Sequence, residues 1–171
     1  MLSLRLLVGT AILVGACGSP TASPPSPSGA EGVTQVIAKV RGITCPACGA
    51  VAEMALRQRL ADVTGVSISQ GEQTVSVRFA PGGGEFSPVV FREAVAEAGI
   101  DVLSLDIDAC GLVEEATGQR WLVTGANRFV LDDGGGTPTG RLMCVSGALN
   151  DRSVPYRVTP TAIHALTTEP A

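Results

Sequence analysis

Two thiols, Cys45 and Cys48, stand two residues apart in the run Gly42-Ile43-Thr44-Cys45-Pro46-Ala47-Cys48, and no other residues of this chain point so directly to a chemistry. A thiolate pair at this spacing offers two soft ligands from one short loop, which satisfies a linear ion such as Cu(I) or Hg(II). Zn(II) or Cd(II) would need two more ligands, from water, a third residue or a second molecule. The same pair could also exchange with a disulfide, or close as an inert structural bond in an oxidising compartment. The flanking segments decide how the thiols are presented. Before them, Val36, Ala38 and Val40 alternate with Gln35, Lys39 and Arg41, the period of a half-buried strand. After them, Ala52, Leu56 and Leu60 recur at helical spacing. Both cysteines therefore fall at or just before a helix N-terminus, where unpaired N–H groups and the positive end of the helix dipole favour thiolate.

The N-terminus speaks for export. Arg5 precedes an apolar run from Leu6 to Val14, too short to span a bilayer comfortably and placed like a secretory signal. Val14-Gly15-Ala16-Cys17 resembles the bacterial lipobox, which implies a signal peptide over 1–16 and a lipidated Cys17. Residues 17–32, rich in Pro and Ser, cannot bury a core and read as an extended tether. The net charge is −4, and cleavage before Cys17 makes it one unit more negative by removing Arg5. A mildly acidic surface argues against nucleic acid or anionic lipid as a partner, so membrane attachment would fall to the acyl chains.

Residues 33–110 read as one α+β domain. Val66-Ser67-Ile68-Ser69 and Thr74 to Phe79 alternate around Gln70-Gly71-Glu72-Gln73, the pattern of a hairpin. Ser87-Pro88 is a helix start, Phe91, Ala94, Val95 and Ala98 form its apolar face, and Gly99 stops it. A last strand places Leu103, Leu105 and Ile107 on one face. The predicted order is βαββαβ, a ferredoxin-like arrangement.

That order, the Gly-x-Thr-Cys-x-x-Cys loop, Thr64-Gly65-Val66 before the second strand and Glu97-Ala98-Gly99 at the end of the second helix together resemble the heavy-metal-associated domain of copper chaperones, copper-ATPase N-termini and the periplasmic mercury scavenger. The resemblance implies that Cys45 and Cys48 are metal-binding thiolates. Two positions depart from the family: Ile43 replaces its usual methionine under the loop, and Ile100 stands where an aromatic residue is common. The first helix is also about one turn longer. Thioredoxin-like proteins share Cys-Pro-x-Cys at a helix start, but Thr44 occupies the place of their usual aromatic residue.

Residues 111–168 carry short strand candidates at Arg120–Thr124, Arg128–Leu131, Leu142–Ser146 and Tyr156–Thr159. They read as a small all-β, barrel-like domain whose last strands weakly resemble those of OB-like barrels. Trp121, Phe129 and Tyr156 are expected to pack the core rather than stack on nucleotides, since cations are not in excess. Asp132-Asp133-Gly134-Gly135-Gly136 is expected to be an ordinary hairpin turn. Cys110 and Cys144 remain as a candidate disulfide that would fix the second domain against the first, or as a source of a third metal ligand. The lone histidine, His164, is far from the thiol pair in sequence, and no catalytic constellation is recognisable. The expectation is therefore a non-enzymatic lipoprotein of the bacterial cell envelope, on its periplasmic or extracellular face. It would capture or hand off a soft ion, Cu(I) before Hg(II), Zn(II) or Cd(II), with a metal-transporting ATPase or a cuproprotein as the kind of partner implied. Two alternatives stay open: a thiol–disulfide exchange module using the same pair, and an envelope interaction protein whose metal domain is vestigial.

Overall fold

The computed structural model describes residues 31–83 and 85–166. The expected signal peptide, Cys17, the tether up to residue 30 and the last two residues of the 111–168 segment lie outside the described residues. β1 (Gly32–Arg41) leads through the cysteine loop into α1 (Pro46–Arg59), followed by the hairpin β2 (Val63–Ser69) and β3 (Thr74–Phe79), then α2 (Pro88–Ala96) and β4 (Asp101–Ala116). These strands pair antiparallel in the order β2-β3-β1-β4, the ferredoxin-like arrangement.

Local sequence accounts for these elements. Val36, Ala38 and Val40 of β1 are buried on the face that also takes Val75 and Val77 of β3. Ala52, Ala55 and Leu56 of α1 and Phe91, Ala94 and Val95 of α2 complete the same apolar cluster. Pro46 and Pro88 open the two helices at a position where a missing N–H costs nothing. Ser87 caps α2 by accepting from Val90 N–H at 3.4 Å.

Leu103 does not take the core place expected of it. Lys39 pairs with Ser104 and Val40 with Val102, so Leu103 is the extra residue of a β-bulge and is 55% exposed. The bulge shifts the phase of the strand, and Val102 packs against the core instead.

β4 then continues well past the ferredoxin-like unit. β1 leaves its edge at Gly32, opposite Cys110, and β5 (Gln119–Thr124) takes over the same edge from Leu112 onward. Gly111 sits at the changeover, where a Cβ would overlap the Val123 carbonyl, so only glycine admits this approach. The other edge of β4 pairs with β7 (Leu142–Asn150) from Leu105 to Leu112. With β6 (Asn127–Leu131) and β8 (Arg157–Ala165) the ladder runs β4-β5-β6-β8-β7 and returns to β4, a closed five-strand ring in which β6 and β8 are parallel. The position 110/111, where the sequence reading divides the chain, thus falls inside a single strand shared by both halves.

The halves are joined by more than β4. Their apolar residues form one cluster, from Val36 and Phe91 to Phe129 and Val158. Asn127 of β6 grips the backbone ahead of α2, accepting from Phe86 N–H at 2.9 Å and donating to Phe86 O at 2.8 Å. Arg92 of α2 pairs with Asp151 after β7, and its guanidinium also reaches Val102 O at the bulge. Of the three rings, Phe129 is fully buried and Tyr156 packs partly against the core, whereas Trp121 lies in the wall of the ring under the Arg128 guanidinium, 5.1 Å from its centroid.

The run Asp132 to Gly136 is not a hairpin turn. It opens the connection from β6 to β7, two strands that do not pair, because β8 inserts between them. Asp133 organises it by accepting from Gly135 N–H at 2.9 Å and Thr137 N–H at 2.7 Å. Cys110 and Cys144 are bonded, as register partners of β4 and β7. The bond closes the seam of the ring rather than fastening one domain onto another, because Cys110 already belongs to the strand that both halves share.

Candidate metal centre

Cys45 is the N-cap of α1 and Cys48 lies in its first turn. The Cys48 N–H donates to Cys45 Sγ at 3.2 Å, and Thr44 Oγ1 lies 3.8 Å from Cys48 Sγ. Each sulfur thus has a polar neighbour suited to a thiolate, and the helix dipole adds to this. The two cysteines are paired with Cα atoms 5.3 Å apart, so a metal would bind only after the pair is reduced. Both are half-buried, while Thr44, Pro46 and Ala47 around them are exposed. A cavity of about 400 Å³ opens beside Cys45, walled by Ile43, Pro46, Ala50 and Ile68 with Gln70 and Glu53 at its polar side.

The loop is braced from two sides. Below it, Ile43 is 3% exposed and Ile100 1% exposed, so both side chains serve as packing under the loop. Gly42 has φ +107, and a Cβ there would come within 2.9 Å of Gly99 O, so the turn after α2 presses directly on the loop. Beside it, the β2–β3 turn contributes Gln70 and Gln73, which bond the loop backbone at Thr44 and Ile43. By sequence, Gln70-Gly71-Glu72-Gln73 reads only as a turn. Nothing in its pattern signals that two of its side chains reach the cysteine loop.

Among the described residues, no group of three or more Cys, His, Asp or Glu side chains is gathered to hold a metal ion. The cysteine loop therefore offers two sulfurs and no third ligand, which suits a linear two-coordinate ion and leaves a tetrahedral one incomplete. Cys110 and Cys144 are bonded to each other, and His164 lies opposite Cys144 on β8. Among the described residues no helix is long and apolar enough to cross a membrane.

No family model and no curated protein matches this chain. Among solved structures it is similar to the N-terminal domain of a potential copper-translocating P-type ATPase from Bacillus subtilis, determined in solution in the Cu(I)-loaded state. The two are 26% identical over 41% of this chain and 84% of that chain, with a TM-score of 0.36.

Proposed function

We propose that this protein binds a soft, thiophilic metal ion, Cu(I) first among them, through the thiolates of Cys45 and Cys48, and that it captures or hands off that ion without catalysing a reaction. The observation that carries the reading is a pair of sulfurs at a helix N-terminus on an accessible loop, with no cluster of three or more Cys, His, Asp or Glu gathered there among the described residues. Two-coordinate ligation leaves room for an incoming thiolate, so the ion can pass to a partner through shared sulfur ligands. The metal-binding unit spans 33–110. The described part of 111–168, with β4 from Leu105 onward closing the ring, is read as an OB-like barrel, which the strand order and the parallel β6–β8 pair support. The lipobox-like run at Cys17 and the Pro/Ser-rich tether support display from a membrane of the bacterial envelope, on its periplasmic or extracellular face.

One observation favours a second reading. Cys45 and Cys48 are bonded in the structure, as the dithiol of a thiol–disulfide exchange module would be in its oxidised state. Titration separates the two. The chain carrying Cys17→Ser, reduced and anaerobic, is titrated with Cu(I) against a competing chelator, beside the same chain with Cys45→Ser and Cys48→Ser. One-to-one binding that disappears in the second protein is the expected result. Equal, weak binding by both would discard the metal reading, and insulin reduction that depends on the same cysteines would put exchange in its place.

A further inference from the structure

We propose that Gln73 is a positioning residue for the Cys45–Cys48 loop, and that the β2–β3 turn carrying it acts as a polar clasp on the loop backbone. The inference rests on the metal-binding reading of that loop. The β1–β3 ladder ends where Val40 N–H donates to Gln73 O at 2.9 Å. Beyond that rung Gly42 turns the chain, and β3 has no residue left to pair with Ile43. The side-chain amide of Gln73 takes the place of the missing strand. Its Oε1 accepts from Ile43 N–H at 3.2 Å, and its Nε2 donates to Ile43 O at 3.0 Å and to Gln70 O at 2.7 Å. Gln70 in turn donates from Nε2 to Thr44 O at 3.0 Å, one residue before Cys45.

Three backbone groups leading into the first thiol are thus held by two side chains of one turn. The turn itself does not select glutamine. Gln73 has φ +49, a conformation that Gly or Asn adopts more readily. What a glutamine adds is reach, enough to present both an acceptor and a donor to the Ile43 peptide groups. Ile43 is buried with the amide in place, so its N–H and C=O are paired with Gln73 rather than with water. A loop fixed in this way meets the ion with less ordering left to do, which raises affinity without any new ligand.

The test uses Gln73→Asn, which suits a positive φ and keeps an amide but is one methylene short, and Gln73→Gly, which suits it and has no amide. Reduced chains carrying Cys17→Ser are titrated with Cu(I) against a competing chelator, with circular dichroism checking that each is folded. Both variants are expected to bind about 10- to 100-fold more weakly than the parent, the usual effect of losing a group that orients a metal ligand. Folded variants that bind within about threefold of the parent overturn the proposal. A measurement on the parent needs no variant to fold: the Ile43 amide should exchange slowly with solvent deuterium, and exchange at the rate of an open loop overturns the clasp. Failure of the metal reading looks different, since the parent itself would then not bind Cu(I). In that case the clasp is read from the reduction potential of the Cys45–Cys48 pair, which should shift in both variants and would stay put if the turn were idle.

Discussion

Replacing Cys110 and Cys144 together by alanine should weaken the fold severely while leaving the Cys45–Cys48 loop untouched. The bond joins register partners of β4 and β7 across a sequence separation of 34, and the β4–β7 pairing is what closes the ring. On the chain-entropy account, a closed loop of that length removes about 4 kcal/mol of freedom from the unfolded chain at 25 °C. A folded unit of this size has an unfolding entropy on the order of 0.3 kcal/mol/K, so the loss corresponds to a fall in Tm of about 13 °C. Because β4 and one apolar cluster run through both halves, the loss should be felt by the whole molecule in a single transition. Thermal unfolding followed by circular dichroism, with Cys45 and Cys48 oxidised in both proteins, measures it. The reduced proteins should bind Cu(I) equally, since neither alanine position faces the cysteine loop in register or sequence. A fall in Tm of less than about 3 °C would refute the seam argument. Separate transitions for the two halves would refute the continuity of the core, and a lost Cu(I) site would restore Cys110 or Cys144 as a ligand.

Three further outcomes are expected. Gly42→Ala places a Cβ against Gly99 O at a φ that side chains avoid, and should cost about 1–3 kcal/mol in urea unfolding together with weaker Cu(I) binding; an unchanged midpoint would show that the loop moves freely. Asn127→Ala leaves both backbone groups of Phe86 unpaired in a buried place and should cost about 2–4 kcal/mol, whereas a loss under 1 kcal/mol would mean water reaches Phe86. The Arg157 guanidinium bonded to Asp132 holds that carboxyl below its ordinary value of 3.8, against a smaller opposing effect of burial. A carboxyl depressed in the folded state stabilises above its unfolded pKa and loses that contribution as pH falls through the folded value, so the contribution is complete above pH 3.8 and fades below it. Asp132→Asn should flatten the acid limb of a stability–pH curve in that window, and an unaltered limb would show the pair to be idle.

Much of the first unit could be read from periodicity, because its strands alternate and its helices carry explicit caps. The pattern Val36, Ala38, Val40 and the helix start at Ser87-Pro88 are local signals, and local physics suffices to produce them. Leu103 escaped that reading because a bulge depends on the register of the partner strand, which lies some sixty residues away in the chain. The Asp132–Gly136 run escaped it for a similar reason. Its composition is that of a turn, but whether a turn joins neighbouring strands depends on which strand fills the gap between them.

The same division holds for the site. Sequence alone determined that two thiols would stand at the start of a helix after a strand, since spacing and helix capping are properties of adjacent residues. It also pointed to the Cys110–Cys144 pair, by counting what remained after the others were assigned. Tertiary structure decided that this bond closes a seam, that one long strand serves both the ferredoxin-like unit and the closed ring, and that Gln70 and Gln73 hold the loop in front of Cys45. Each of these depends on chain segments far apart in sequence meeting at a particular register, and register is settled by packing over the whole sheet rather than by any one stretch of residues.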